Sequence, residues 1–223
     1  MKVLSSLAIR AAYSELAPQF EKLRGCRLDT EWVGMVDIRK RMHAGEAADL
    51  VIGSAALIDE LIHAGKLRAG SRVDLVKSGV GMAVKKGAPK PDISSVEAFT
   101  RSLRAAKSIV YSSGPSGVYL AGLFERLGIA AELKDRMLQT PPGALVGELA
   151  ARGEKEIAFQ QIPELRQVEG IDIVGPLPAE IQSVTVFAGG IPAASKEPET
   201  AKALLAFLTS PSSAAAVRKH GFI

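Results

Sequence analysis

The chain has 223 residues, about one and a half times the ~150 residues of an average domain, which points to two small lobes. With 47% hydrophobic and 23% charged residues it is a folded globular protein, and disorder and collagen-like repeats are excluded. The formal charge of +4 comes from basic residues spread along the chain, and aromatics are only 5%, so a nucleic-acid partner is not expected.

In chain order, Lys2-Val-Leu4 reads as a strand and Ser5-Ser6 as a capped turn. Ile9, Tyr13, Leu16 and Phe20 then fall at helical spacing until Gly25 stops the helix. Cys26 to Val33 alternates as a second strand, and Val36 to His43 is a short basic helix ended by Ala44-Gly45. Asp49-Leu-Val-Ile-Gly53 is a short apolar run, the mark of a buried parallel strand, and Ala55 to Ala64 is a helix stopped by Gly65. Strands alternating with helices at this spacing predict right-handed βαβ units and a parallel sheet.

Gly79 to Lys85 is a further strand, followed by the connection Gly87-Ala-Pro-Lys-Pro91. The pattern then restarts with helix Val96 to Ala106, strand Ser108 to Tyr111, turn Ser112 to Gly117, helices Val118 to Leu127 and Ala144 to Ala151, and strand Glu156 to Gln160. Val184 to Gly189 is the last strand, and Thr200 to Leu208 and Ser212 to Lys219 are terminal helices.

One cysteine, Cys26, excludes an internal disulfide and a cysteine-ligated zinc, and His43, His63 and His220 leave little for another metal cage. No metal and no cofactor are expected. No apolar run approaches the ~18 residues of a membrane span, and the N-terminus lacks a leader pattern, so no membrane insertion is expected. His43 and His63 precede Ala-Gly helix ends, where capping is the expected role. Trp32 reads as a packing residue and Cys26 as a small buried hydrophobe.

In open α/β sheets, ligands bind beyond the carboxyl ends of strands, at helix N-termini whose unpaired N–H groups favour negative charge. Four turns fit: Ser5-Ser6-Leu7-Ala8, Val33-Gly34-Met35, Ser112 to Gly117, and Pro141-Pro142-Gly143-Ala144. Each offers small residues and backbone donors. Arg10 and Arg39, one turn into their helices, are candidates for pairing with a carboxylate, and the Gln160 and Gln161 amides are candidate donors to one.

The order of Val3-Leu-Ser-Ser-Leu7, Ala44-Gly-Glu-Ala-Ala-Asp-Leu-Val-Ile52, Pro115-Ser-Gly-Val-Tyr119 with Leu127-Gly128, and Lys219-His-Gly-Phe222 resembles the molybdate-type extracellular solute-binding proteins of ABC importers. That group also includes aconitate isomerase. The resemblance covers essentially the whole chain, and Ala44 to Ile52 is its most specific piece. It implies an α/β fold of the two-lobed periplasmic-binding-protein type II kind. Each lobe is then a mostly parallel sheet flanked by helices, and two crossing strands join them. Lobe 1 would comprise residues 1–80 and 186–223 and lobe 2 residues 81–185, with a ligand cleft between them that closes by hinge motion.

The family's contacts carry over unevenly. Its first serine and backbone donors fall at Ser5, Ser6, Leu7 and Ala8, where the loop is one residue tighter or the serine has become Ala8. Its second serine falls at Gly34-Met35-Val36, without a hydroxyl. Main-chain donors of the second lobe fall at Ser116 and Gly143, and its tyrosine near Gln161. With their neighbours Ser54, Ser113, Gly117, Ala144 and Gln160, and with Arg10, these residues make up the expected ligand site.

The resemblance implies a monomeric solute-binding protein that captures a small anion, a molybdate- or tungstate-like oxyanion or a small organic acid, without chemistry. An ABC importer permease is the partner it implies. The alternative is an isomerase of the aconitate isomerase type acting on a small tricarboxylate on the same scaffold, for which the sequence singles out no base. A trimmed leader would place the protein in the periplasm, and Met1 as the natural start would place it in the cytoplasm.

Overall fold

A computed structural model describes residues 1–223, and the chain divides into two units, Met1–Ser78 with Thr185–Ile223, and Gly79–Val184. The first begins with strand β1 (Lys2–Ser6), helix α1 (Arg10–Arg24), β2 (Asp29–Val33), α2 (Met35–His43), β3 (Leu50–Ser54) and α3 (Ala55–His63). β1 lies parallel to both β2 and β3, with Leu4 opposite Glu31 on one side and Val51 on the other. Strand alternation sends Val3, Leu50 and Ile52 into one core with Tyr13, Leu16 and Phe20 of α1. It sends Leu4 and Val51 into a second core with Ile38, Leu57, Ile58 and Leu61 of α2 and α3. Helices thus cover both faces, and this is why β3 reads as an uninterrupted apolar run. Gly25 closes α1 in the left-handed conformation, φ 61°, that a glycine adopts without strain.

Strand β4 (Val73–Lys85) starts in the first unit and continues into the second after Ser78. There follow α4 (Val96–Ala105), β5 (Ile109–Tyr111), α5 (Pro115–Arg126), α6 (Ala130–Leu133), β6 (Met137–Gln139), α7 (Gly147–Ala151), β7 (Ile157–Gln161), α8 (Ile162–Leu165) and β8 (Ile171–Pro176). β5 lies parallel to β6 and β7, while β4 is antiparallel to β7 and β8. One core holds Phe99, Phe124, Phe159 and their aliphatic neighbours, with ring centroids 6.0–6.4 Å apart. The other holds Ala83, Val110, Val146, Ala150, Ala158 and Leu165. The chain returns through β9 (Val184–Gly190), antiparallel to β3, and ends in α9 (Pro198–Leu208) and α10 (Ala214–Lys219). No helix is long and apolar enough to cross a membrane.

The α/β alternation is as expected, and several bounds are corrected. β4 begins at Val73 rather than Gly79, because its first half is only partly buried and carries Asp74 and Lys77. α5 begins at Pro115 rather than Val118, since proline suits the first helical position, and so takes in Ser116 and Gly117. The helix expected over Ala144 to Ala151 is confined to Gly147–Ala151. The short elements α6, β6, α8 and β8 have three to six residues each, too few for a periodic signal.

Asp49 ties the start of the chain to the segment between β9 and α9 within the first unit. Its carboxylate accepts hydrogen bonds from the Lys2 N–H (2.9 Å), the Lys196 N–H (3.0 Å), the Glu197 N–H (3.3 Å) and the Ser195 hydroxyl (3.1 Å). Burial opposes its charge, but these donors together prevail and hold the carboxyl below its ordinary range. Glu46 nearby pairs with Lys2 at 2.9 Å and with Arg41, which also binds Glu31 at 2.6 Å. The acids of the Ala44–Ile52 segment are therefore fastenings of the scaffold.

Candidate functional site

In the first unit the candidates gather along one edge. β1, β2 and β3 are parallel, so Ser6, Gly34 and Ser54 all lie at their carboxyl ends. A single 3-10 turn, Leu7–Ile9, separates Ser6 from α1. The Ser6 hydroxyl accepts from the Ala8 N–H at 3.3 Å, and the buried Ser5 hydroxyl donates to the Ser6 carbonyl at 3.3 Å. The Ser54 hydroxyl accepts from the Leu57 N–H at 3.3 Å. All three serines are thus engaged by their own turns, as N-terminal caps usually are. Gly34 caps α2 with its carbonyl alone, and Met35 follows it without a polar group to add.

Arg10 is exposed, forms no ion pair, and lies over the Trp32 ring at 6.0 Å. Trp32 packs edge-on against Tyr13 at 5.4 Å, the packing role expected of it. Arg39 does not join this edge. Its Nε contacts both oxygens of Glu60 on α3, at 2.8 and 3.0 Å, which commits it to a helix–helix tie rather than a ligand. The His43 ring also meets Glu60, and the His63 ring meets the Asp59 carbonyl at 2.7 Å.

The second unit repeats the plan on the parallel strands β5, β6 and β7, whose register sets Tyr111 opposite both Gln139 and Phe159. Their carboxyl ends carry Ser112 to Gly117, Thr140 to Ala144, and Gln160 with Gln161. The Ser112 and Ser116 hydroxyls lie 3.0 Å apart and are buried, with Ser113 half-buried between them in the chain. At Gly117 an added Cβ would stand 1.5 Å from the Ser112 carbonyl oxygen, so only glycine permits this turn.

Two residues of this edge were not singled out by sequence. Thr140 donates its N–H to the Tyr111 carbonyl at 3.0 Å, and its buried hydroxyl has no protein partner. Glu164 stands three residues after Gln161, the N-cap of α8, and its carboxyl takes a hydrogen bond from the Gln161 backbone. This is the reciprocal half of a capping box, without the N-cap side-chain bond, so the Gln-x-x-Glu spacing was the available signal. Burial pushes the Glu164 carboxyl up to about 7, against the hydrogen bonds from the Gln160 side chain and the Gln161 backbone.

Gln160 is 2% exposed and fully oriented. Its Oε1 accepts the Val146 N–H at 3.0 Å, and its Nε2 donates to the Ala144 carbonyl at 3.1 Å. The turn preceding α7 is therefore held by β7, while Pro141, Pro142 and Gly143 at its tip are exposed, Gly143 with φ 82°. Gln161 is 1% exposed and lies opposite Val80 of β4. In chemical terms, each edge presents neutral hydroxyl, amide and backbone N–H groups, a set suited to an anion.

The family model described as "Bacterial extracellular solute-binding protein" matches residues 1–223. An aconitate isomerase from Pseudomonas sp. is 41% identical over 229 residues, covering 99% of this chain and 86% of the relative. Among solved structures, the periplasmic molybdate-binding protein of Azotobacter vinelandii superposes with a TM-score of 0.83 at 17% identity, covering 100% of this chain and 98% of that one. The sulfate-binding protein SubI of Mycobacterium tuberculosis superposes with a TM-score of 0.80 at 18% identity, covering 100% of this chain and 85% of that one. The fold is that of the type II periplasmic binding proteins, and the chain belongs to the bacterial extracellular solute-binding protein family.

Proposed function

We propose that the protein captures a small carboxylate anion of the di- or tricarboxylate class and presents it to an ABC importer. The observation that carries this reading is the gathering of the candidate donors on the carboxyl edges of β1–β3 and of β5–β7. Both edges offer backbone N–H groups at helix starts, which favour negative charge without a counter-ion. Arg10, unpaired and exposed beside the first edge, adds a planar fork suited to a carboxylate. A carboxylate is preferred to a tetrahedral oxyanion because Arg10 offers it a planar fork and Met35 brings no hydroxyl to the start of α2, while Ser6 and Ser54, which only accept within their turns, keep an O–H to donate to either. The family's extracellular character supports a periplasmic location for an exported form, which cell fractionation checks.

A second reading is favoured by the 41% identity to an aconitate isomerase. On that reading the same site turns over an unsaturated tricarboxylate, moving a proton beside its double bond. Thermal-shift measurements with molybdate, tungstate, sulfate, cis- and trans-aconitate and citrate test the first reading. A ligand at a hundredfold excess over Kd adds about 2.7 kcal/mol of apparent stability. Shifts with molybdate and tungstate but none with the carboxylates would overturn the proposed ligand class. Following the absorbance of cis- against trans-aconitate tests the second, which fails if concentrated protein gives no turnover.

A further inference from the structure

Trp32 is the chain's only tryptophan, half-buried on β2, and it meets two residues of one helix face. Arg10 and Tyr13 stand three residues apart on α1, so both turn to the same side. The Tyr13 and Trp32 rings stand at 86° with centroids 5.4 Å apart, and the Arg10 guanidinium lies over the Trp32 ring at 6.0 Å from its centroid. The buried Tyr13 is itself anchored, its hydroxyl 3.0 Å from that of Thr30. Thr30 precedes Trp32 by two residues and so shares its face of the strand. Two residues of β2 thus meet two of α1, and the outer contact is the one between ring and guanidinium.

No acid of the scaffold uses the charge of Arg10. Its side chain is exposed and forms neither an ion pair nor a hydrogen bond with the protein. It occupies the first residue of α1, where the helix dipole disfavours a cation, and no acidic residue shares that turn. An anion brought to the same helix start offsets both the dipole and the free charge. Contact with a π face engages the guanidinium's charge and leaves the donors of its fork for a carboxylate.

We propose that Trp32 is a positioning residue of the anion site, its ring restraining the Arg10 side chain so that a ligand carboxylate meets a fork already oriented for it. This rests on the reading that Arg10 takes a carboxylate of the ligand. A free arginine side chain samples many rotamers, and ordering it on binding lowers affinity. A ring that holds it beforehand removes part of that loss. As the single tryptophan, Trp32 also reports events at Arg10, since an indole's emission responds to charge held at its ring.

The test titrates the whole chain with citrate and cis-aconitate by calorimetry, and with citrate, which is transparent where tryptophan is excited, by emission. Citrate binding to the wild type is expected to change the Trp32 emission. Arg10→Gln is expected to bind on the order of thirtyfold more weakly and to show little of that change at saturation. Trp32→Leu should weaken binding about threefold, and Trp32→Phe, which keeps a ring face, should restore most of it. In the Arg10→Gln background Trp32→Leu should have no further effect, because the ring acts through the arginine. An equal loss in both backgrounds means that Trp32 only packs, and overturns the proposal. So does an emission that citrate leaves unmoved while calorimetry shows it bound, a measurement that needs no variant to fold. A wild type that binds neither carboxylate overturns the ligand reading and this proposal with it. Binding that Arg10→Gln and Trp32→Leu leave unaltered overturns this proposal alone.

Discussion

The two units build similar edges from parallel strands but fasten them differently. In the first, each candidate hydroxyl is tied within its own turn, Ser5 to the Ser6 carbonyl, Ser6 to the Ala8 N–H and Ser54 to the Leu57 N–H. In the second, Ser112 and Ser116 are likewise tied within one turn, but Gln160 on β7 reaches across to Ala144 and Val146 before α7. A local cap holds its shape whatever the neighbouring strand does. A long-range clamp couples two elements, so a change at Gln160 reaches the turn before α7.

The contrast can be broken at four points. The largest effect is expected at Gly117→Ala, where the new Cβ would stand 1.5 Å from the Ser112 carbonyl oxygen. The turn or α5 must move, and denaturant unfolding should show a loss on the order of 4 kcal/mol. A loss under about 1 kcal/mol would mean that the second unit's edge is as yielding as a surface loop.

Next is Asp49→Ala, which removes four hydrogen bonds to a charged acceptor in the first unit. A loss of about 2–4 kcal/mol is expected at pH 7. Because the Asp49 carboxyl is held below its ordinary range, its contribution is present above the ordinary carboxylate pKa. It is lost as pH falls through the lower folded value, so the gap between variant and wild type should narrow in acid.

Glu164→Gln tests the second unit in the opposite direction. Its carboxyl is raised from 4.5 to about 7, so the folded state takes up a proton more readily than the unfolded chain. The stability it contributes is complete below pH 4.5 and is lost as pH rises through about 7. The glutamine cannot ionise and keeps an acceptor for the Gln161 N–H. It should therefore be more stable than the wild type by up to about 3 kcal/mol above pH 8, with the difference vanishing in acid. A pH-independent difference in thermal unfolding would remove the distinction between the two units.

The smallest effect is expected at Ser54→Ala, which deletes one local cap and should lower stability by about 1 kcal/mol at any pH between 5 and 9. If this variant also shifts the resonances of β1 or β2 residues, the first unit's fastenings are not local.

Much of the scaffold was legible from residue order. The strand at Leu50 to Gly53, the helix carrying Tyr13, Leu16 and Phe20, and the stop at Gly25 follow from apolar period and glycine conformation, properties of a few adjacent residues. The segment Ala44 to Ile52, the most specific part of the family resemblance, proved to be scaffold, since Glu46 and Asp49 fasten the first unit. The short elements β6, α8 and β8 were not legible, because three to six residues carry no period and their stability comes from neighbours.

Sequence by itself determined the two-unit α/β plan and which turns end on small residues at the carboxyl ends of strands. Only the tertiary structure decided which of those groups are engaged. Arg39 belongs to Glu60, Gln160 belongs to the turn before α7, and the Thr140 hydroxyl is buried without a protein partner. Glu164, unremarkable in sequence, has its carboxyl raised by desolvation. The physical reason is one of range: backbone conformation and amphipathic period are set within a few residues. Desolvation and hydrogen-bond partnership depend on segments that meet only when the chain has folded.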